Sequence, residues 1–360
     1  MKIAFVSAAR SSHTVKWVNA LARRGHTVRL YSLPDHKNTL GNLHPQVEVC
    51  YLEKGGFLGY FRNARQLARQ MAVFQPDVVN SHYASGYGTL TRLAKVHPLV
   101  LSVWGSDVYD FPHKSPLHKK LVRDNLFGAD AVASTSEVMA RRVRQTFGYA
   151  KEIFITPFGV DCTLFSPVKE PVPCDTFRVG TVKALEEKYG MDILIRAFAL
   201  LCEKLGERPA SLVIYGKGSQ WEPLESQIAS LGLAGKVMLG GAVPNEEVPD
   251  KIRQMDAFCL PSVLDSESFG VSAVEAMACG VPVVASDVDG FTETVEDGVT
   301  GFLVPRRDPA AMASRLYALA GDPELCQKLG QAGRERALRL YDFEKNVDTM
   351  EQLYQKVIQK

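Results

Sequence analysis

The chain has 360 residues, 46% of them hydrophobic and 23% charged, with a formal net charge of +2. That length exceeds one ordinary core and suits two domains, and the composition is that of a globular protein rather than a disordered or fibrous one. No apolar run approaches the ~20 residues of a membrane-spanning helix. The opening MKIAFVSAARSS is too short in apolar residues for a secretory signal and reads as a buried first strand of a cytoplasmic protein.

Apolar runs at 2–7, 27–33, 47–52, 77–82, 98–105 and 129–135 predict strands, and helical patterns lie near 14–24, 60–74, 86–95, 116–127 and 136–147. Continuous apolar strands alternating with helices predict a parallel sheet covered on both faces. The first domain, 1–168, is therefore expected to be a doubly wound, Rossmann-like α/β unit. At 166–176 the stretch SPVKEPVPCDT has three prolines and no helical period, and it reads as a linker. The alternation then restarts, with strands at 177–182, 211–216, 236–241, 257–262, 281–286 and 301–305. Helical patterns follow near 190–204, 221–231, 245–254, 270–279, 308–320 and 323–339, so a second α/β domain of similar size is expected over 169–340. A last helix is predicted at 342–358. Two such domains imply a cleft, a common place for ligands.

Charge is unevenly spread. Residues 1–170 hold 22 Lys+Arg and 12 Asp+Glu, a balance of +10, while the remaining 190 hold 20 and 28, a balance of −8. All eight histidines also fall in the first part. A basic first half attracts anions such as a lipid surface or a phosphorylated acceptor. The seven cysteines form no C-x-x-C pair and read as reduced thiols without a metal site.

Several stretches point further. ESFGVSAVEAMACGVPVVAS (267–286) and DGFTETVEDGVTGFLVP (289–305) are preceded, in order, by WGSD (104–107), TPFGVD (156–161), VGTVKALEEKYGMDILIRAF (179–198), VIYGKGSQWEPLE (213–225) and LGGAVPNEEVPDKIRQMDAFCLPS (239–262). This ordered set resembles the donor-binding signature of retaining GT-B glycosyltransferases, family 4 in particular. The resemblance implies two Rossmann-like domains and a C-terminal helix (341–360) returning to the first. It implies transfer of a sugar from a nucleotide-sugar, UDP-linked or GDP-linked, to a glycan or lipid-linked acceptor in cell-envelope synthesis. Retention at the anomeric carbon, no metal and no cofactor belong to the same expectation; a nucleic-acid partner is not expected, because the sequence has no recognition motif or interleaved aromatic platform. Two alternatives stay open: a sugar-nucleotide epimerase, or a non-catalytic nucleotide-sugar-binding protein.

Within that frame the residues take roles. Ser266 or Ser268 is expected to cap a helix, leaving the N–H groups of Phe269, Gly270 and Val271 to meet diphosphate. Glu267 is expected on the sugar hydroxyls and Glu275 on the ribose. The family's arginine after Gly180 is absent, since Thr181 follows, and Lys183 is expected to take its place; Lys188 resembles the family's lysine, with Tyr189 inserted before Gly190, and both lysines are expected to hold the diphosphate. Gly180, Gly216 and Gly218 are candidate donor contacts, the last two read as a turn admitting the nucleotide, and Val243 lies where the base rests. On the acceptor side the family's paired glycines are replaced by Ser11 and Ser12. Ser12, His13 and Lys16 are candidate acceptor contacts. Asp107 is a candidate catalytic group, His82 is either that or a satisfied structural residue, and Trp104, in a position often held by histidine, is either a sugar platform or a core residue. Finally, 55–70 combines Phe57, Leu58, Tyr60 and Phe61 with Arg62, Arg65 and Arg69, a pattern suited either to an anionic lipid surface or to a core-packed helix with a solvated basic face.

Overall fold

In the computed structural model, which describes residues 1–168 and 175–359, seven short strands form one sheet. They are β1 (Lys2–Val6), β2 (Thr27–Ser32), β3 (Glu48–Tyr51), β4 (Val78–His82), β5 (Leu99–Val103), β6 (Ala131–Ser134) and β7 (Ile153–Ile155). Their order is β3-β2-β1-β4-β5-β6-β7, with every pairing parallel. A second, six-stranded sheet holds β8 (Phe177–Val182), β9 (Ala210–Tyr215), β10 (Val237–Gly241), β11 (Ala257–Leu260), β12 (Val283–Ser286) and β13 (Gly301–Val304), also all parallel, in the order β10-β9-β8-β11-β12-β13.

Burial explains the strand sequences. Every residue of β4, β5, β6, β11 and β12 is buried, so these strands read as continuous rather than alternating apolar runs. Helices cover the sheets through their apolar faces; Met191–Leu205, for example, buries Met191, Leu194, Ile195, Phe198 and Leu201. Both strand orders reverse direction beside their first strand, between β1 and β4 and between β8 and β11. In open α/β sheets such switch points leave a crevice outside the carboxyl ends of the strands, where ligands bind.

Two compact units result: Met1–Phe158 with Glu344–Lys360, and Gly159–Phe343. The chain thus leaves the first unit at Phe158, earlier than the expected boundary at 168, and re-enters it at Glu344, later than 341. The prolines drew the sequence-based boundary downstream; residues 169–174 of that linker lie outside the described residues. The two passages pair with each other inside the second unit, where the Val160 N–H donates to Tyr341 O and the Phe343 N–H donates to Val160 O.

The last helix, Phe343–Ile358, packs on the first sheet. Asn80 Nδ2 of β4 donates to the Tyr354 hydroxyl at 2.6 Å, both groups being buried. Arg24 reaches Glu344 and Glu351 at 2.7 and 2.6 Å. One expected helix is broken: 60–74 is two helices, Gly56–Arg62 and Ala64–Phe74. The buried Asn63 between them donates to Lys54 O and accepts from the Lys54 N–H. Strand β7 escaped the sequence reading because three residues carry too little pattern.

Candidate functional site

The second unit carries its site at the switch point. Lys183 follows β8 directly, and its ammonium lies 2.6 Å from the Glu267 carboxylate, which sits in the loop after β11. Both side chains are 13% exposed. Burial alone would lower the lysine pKa. The charges of Glu267, Tyr189 and Glu275 outweigh burial and hold it above the ordinary value, so the ammonium stays protonated. Glu275 lies inside the helix Val271–Ala278, and its charge adds the smallest of these contributions.

The loop that presents Lys183 is fixed against the 215–220 segment. Its N–H donates to Tyr215 O, Leu185 N–H to Lys217 O, and Gln220 N–H to Leu185 O. A Cβ on Gly216 would stand 1.9 Å from Lys183 O, and one on Gly218 2.2 Å from Leu185 O. The two glycines were expected to admit the nucleotide; their missing side chains instead let the 216–218 turn close on the lysine loop. Gly180 is corrected likewise. It lies within β8 paired to Val213 and Phe258, and Met255 side-chain atoms fill its Cβ space at 2.5 Å.

Lys188 is tied to the opposite strand end. Its carbonyl accepts from the Val263 N–H, and Gly190, with φ 66°, leaves only 2.3 Å between a would-be Cβ and Pro261 O. Tyr189 stands between the two lysines, its ring centroid 4.6 Å from Lys183 Nζ and 4.9 Å from Lys188 Nζ. Such spacing is that of cation–π contacts. The sequence marked Tyr189 only as an insertion.

The helix Val271–Ala278 starts at Gly270, whose left-handed φ of 80° serves as the cap without a side-chain hydrogen bond. Neither Ser266 nor Ser268 caps it, contrary to expectation, and Ser268 and Phe269 are buried. Gly290 explains why 267–269 lies where it does: its N–H donates to Glu267 O, and a Cβ there would meet that oxygen at 2.3 Å and Phe269 N at 2.5 Å. Val271 opens the helix, and Val243 is half-buried in the loop after β10. A cavity of about 820 Å³ in this unit is elsewhere. It borders Phe177, Asp256 and Pro282 at the amino ends of β8, β11 and β12, away from the lysines.

In the first unit, Ser11 caps the helix Ser12–Arg23 by accepting from the Thr14 N–H. Ser12 lines a cavity of about 610 Å³ with Arg10, Ser11, His36, Tyr83 and Ser85, at the carboxyl ends of β1 and β4. His13 stacks on Phe158 at 4.0 Å, and Lys16 is half-buried on the same helix.

Three expected site residues are structural. Asp107 is 1% exposed, and its carboxylate accepts from the Ala84, Trp104 and Gly105 N–H groups at 2.7, 3.1 and 2.9 Å. Burial raises its pKa and these bonds offset part of the rise. A carboxylate spent on three backbone donors ties the 104–107 turn to the end of β4 and is not placed as an acceptor base. His82 is fully buried with Nδ1 3.0 Å from Ser7 Oγ, and burial, then His13, holds its pKa well below the ordinary value. Trp104 lies against His82 at 3.9 Å and packs near Tyr83 and Phe158, so it is core rather than a sugar platform.

Comparison with known proteins decides the family. Residues 165–336 match the family model described as Glycosyl transferases group 1, and residues 2–136 match Glycosyl transferase 4-like. A GDP-mannose-dependent alpha-(1-6)-phosphatidylinositol monomannoside mannosyltransferase of Mycolicibacterium smegmatis is 32% identical over 264 residues, covering 70% of this chain and 68% of that protein. A D-inositol 3-phosphate glycosyltransferase of Kribbella flavida is 30% identical over 332 residues, covering 82% and 78%.

This chain is a family 4 glycosyltransferase.

Its fold is GT-B. Sucrose-phosphate synthase from Thermosynechococcus elongatus superposes with a TM-score of 0.86 at 22% identity over 99% of this chain and 98% of that one. HepE of Anabaena in complex with UDP gives 0.82 at 20% over 99% and 100%. In this glycosyltransferase the residues that sequence reasoning passed over are Tyr189, Gly290 and Arg10. A glycine in a helical stretch beside an acid-rich loop was the available signal for Gly290.

Proposed function

We propose that the glycosyltransferase transfers a sugar with retention from a UDP- or GDP-sugar to an envelope glycan or glycolipid acceptor, without a resident metal. The observation that carries this reading is the buried Lys183–Glu267 pair at the end of β8, beside the start of the helix Val271–Ala278. Lys183 and Lys188 offer fixed positive charge to the diphosphate, and a helix start adds favourable potential for an anion. Glu267 accepts hydrogen bonds from sugar hydroxyls, and Glu275, one electrostatic neighbour of Lys183, from ribose hydroxyls.

In this scheme the bond from the anomeric carbon to the phosphate oxygen breaks while the acceptor oxygen bonds the same face of that carbon. The acceptor proton passes to the departing phosphate oxygen. No protein base is required, which accords with the burial of Asp107 and His82. The donor class follows the GDP-mannose named for the Mycolicibacterium relative and the UDP named in the HepE complex. A putative colanic acid biosynthesis glycosyltransferase of Escherichia coli, WcaL, 30% identical over 69% of this chain, supports an envelope pathway. We place the protein in the cytoplasm, at the inner membrane face; among the described residues no helix is long and apolar enough to cross a membrane.

The test is product stereochemistry. With donor, acceptor extract and excess chelator present, NMR of the product should show the donor's anomeric configuration. Inversion, or turnover that the chelator abolishes, contradicts the proposal.

A further inference from the structure

Two cavities of the first unit meet at one tyrosine. The polar one, about 610 Å³, contains Arg10, Ser11, Ser12 and His36. The other is a slot of about 200 Å³ walled by Phe57, Phe61, Phe111 and Leu121. Tyr60, Ser85 and Gly86 line both. A Cβ on Gly86 would stand 2.5 Å from Tyr60 Cζ, so only glycine lets the Tyr60 ring lie there. Burial pushes the Tyr60 pKa up to about 12, with Asp35 raising and Arg10 lowering it.

The slot runs to an apolar surface. Phe57 and Leu58 are 61% and 51% exposed, and Phe57 and Phe61 face each other with ring centroids 5.5 Å apart. Leu117, one turn before Leu121 on the helix Pro116–Phe127, is 77% exposed. Lys114 Nζ lies 5.7 Å from the Phe111 ring centroid. Exposed aromatic and aliphatic side chains beside cations suit the boundary between lipid chains and anionic head groups.

We propose that the two cavities form one amphiphilic acceptor site, and that the acceptor is a phosphate-headed lipid. Its head lies with Arg10, Ser11 and Ser12 at the start of the helix Ser12–Arg23, and its first methylenes pass Tyr60 into the slot. A slot of this size is smaller than a usual ligand pocket and takes only the near end of a long chain. The remainder runs out over Phe57 and Leu58. The inference rests on the glycosyltransferase reading and names the acceptor class for it.

The test is calorimetric titration of the full chain with inorganic phosphate, butyl phosphate and octyl phosphate below its micelle concentration. Affinity should climb by up to about fourfold per methylene buried, giving octyl phosphate a large advantage over phosphate itself. Leu121→Trp, which fills the slot, and Phe57→Asp, at a largely exposed site, should each cut the octyl-to-phosphate ratio at least tenfold. Equal affinity for the three ligands overturns the inference, as does a ratio unchanged in both variants. Nucleotide-sugar binding on the same samples keeps the two readings apart. Donor binding without a chain-length effect overturns the lipid site and leaves glycosyl transfer standing.

Discussion

Lys183 Nζ lies 2.6 Å from the Glu267 carboxylate at the carboxyl end of β8, where both side chains are largely shielded from water. Removing one partner leaves the other charge buried, which costs about 3–5 kcal/mol in a fully enclosed pair and somewhat less here. The double variant Lys183→Met/Glu267→Leu should therefore be more stable than Lys183→Met alone. Chemical denaturation of the four proteins reads the coupling. The lysine pKa is raised, so this stabilisation is complete below the ordinary lysine value and is lost only as pH rises through the folded value. The pair should accordingly contribute equally throughout the neutral range.

Glu267 and Glu275 should separate in kinetics. Glu267→Gln should lower kcat by about tenfold or more while nucleotide affinity changes little, because the sugar contact is strengthened in the transition state. Glu275→Gln should weaken UDP or GDP binding by roughly tenfold, the loss of one charged hydrogen bond. Steady-state kinetics and nucleotide titration together check both.

Gly216 and Gly321 offer a contrast of the same substitution. Gly216→Ala places a methyl against Lys183 O, with φ at 151°, and should displace the lysine loop, lowering both stability and nucleotide affinity. Gly321→Ala meets nothing within 4 Å at the end of the helix Pro309–Gly321 and should leave both unchanged. Melting curves with and without nucleotide distinguish them.

Asp107 should behave as a structural residue. Asp107→Ala strands three buried N–H groups and should cost about 3 kcal/mol or more. Asp107→Asn keeps an acceptor oxygen and should retain kcat within about tenfold, whereas loss of a general base costs about 100-fold or more. The pH–rate profile of the Asn variant should match the wild type.

Tyr354→Phe removes the acceptor for the buried Asn80 amide and should cost about 1–3 kcal/mol, read as a lower unfolding midpoint.

The sequence made the architecture legible wherever burial is continuous. All six expected strands of the second half coincide with β8–β13 to within a residue or two, because strands buried on both faces leave unbroken apolar runs. The candidacy of Lys183, Glu267 and Glu275 came from their ordered context, and the structure pairs the first two. The roles of Gly180, Gly216 and Gly218 were not legible, since a glycine's sequence does not say which backbone approaches it. Asp107 and Trp104 became candidates through the family pattern, and His82 through its place at the end of a strand. Only three-dimensional packing shows Asp107 satisfied by three amides and Trp104 against His82. The chain crossing at Phe158 was masked by the proline-rich stretch that follows it.

The central claim is that the end of β8 holds a donor diphosphate. Calorimetric titration of UDP and GDP into the wild type and Lys183→Gln tests it most directly. The account predicts that one of the two nucleotides binds the wild type and loses about tenfold or more in the variant, the value of one charge-assisted contact. Failure of both to bind, or equal affinity in the two proteins, would contradict it.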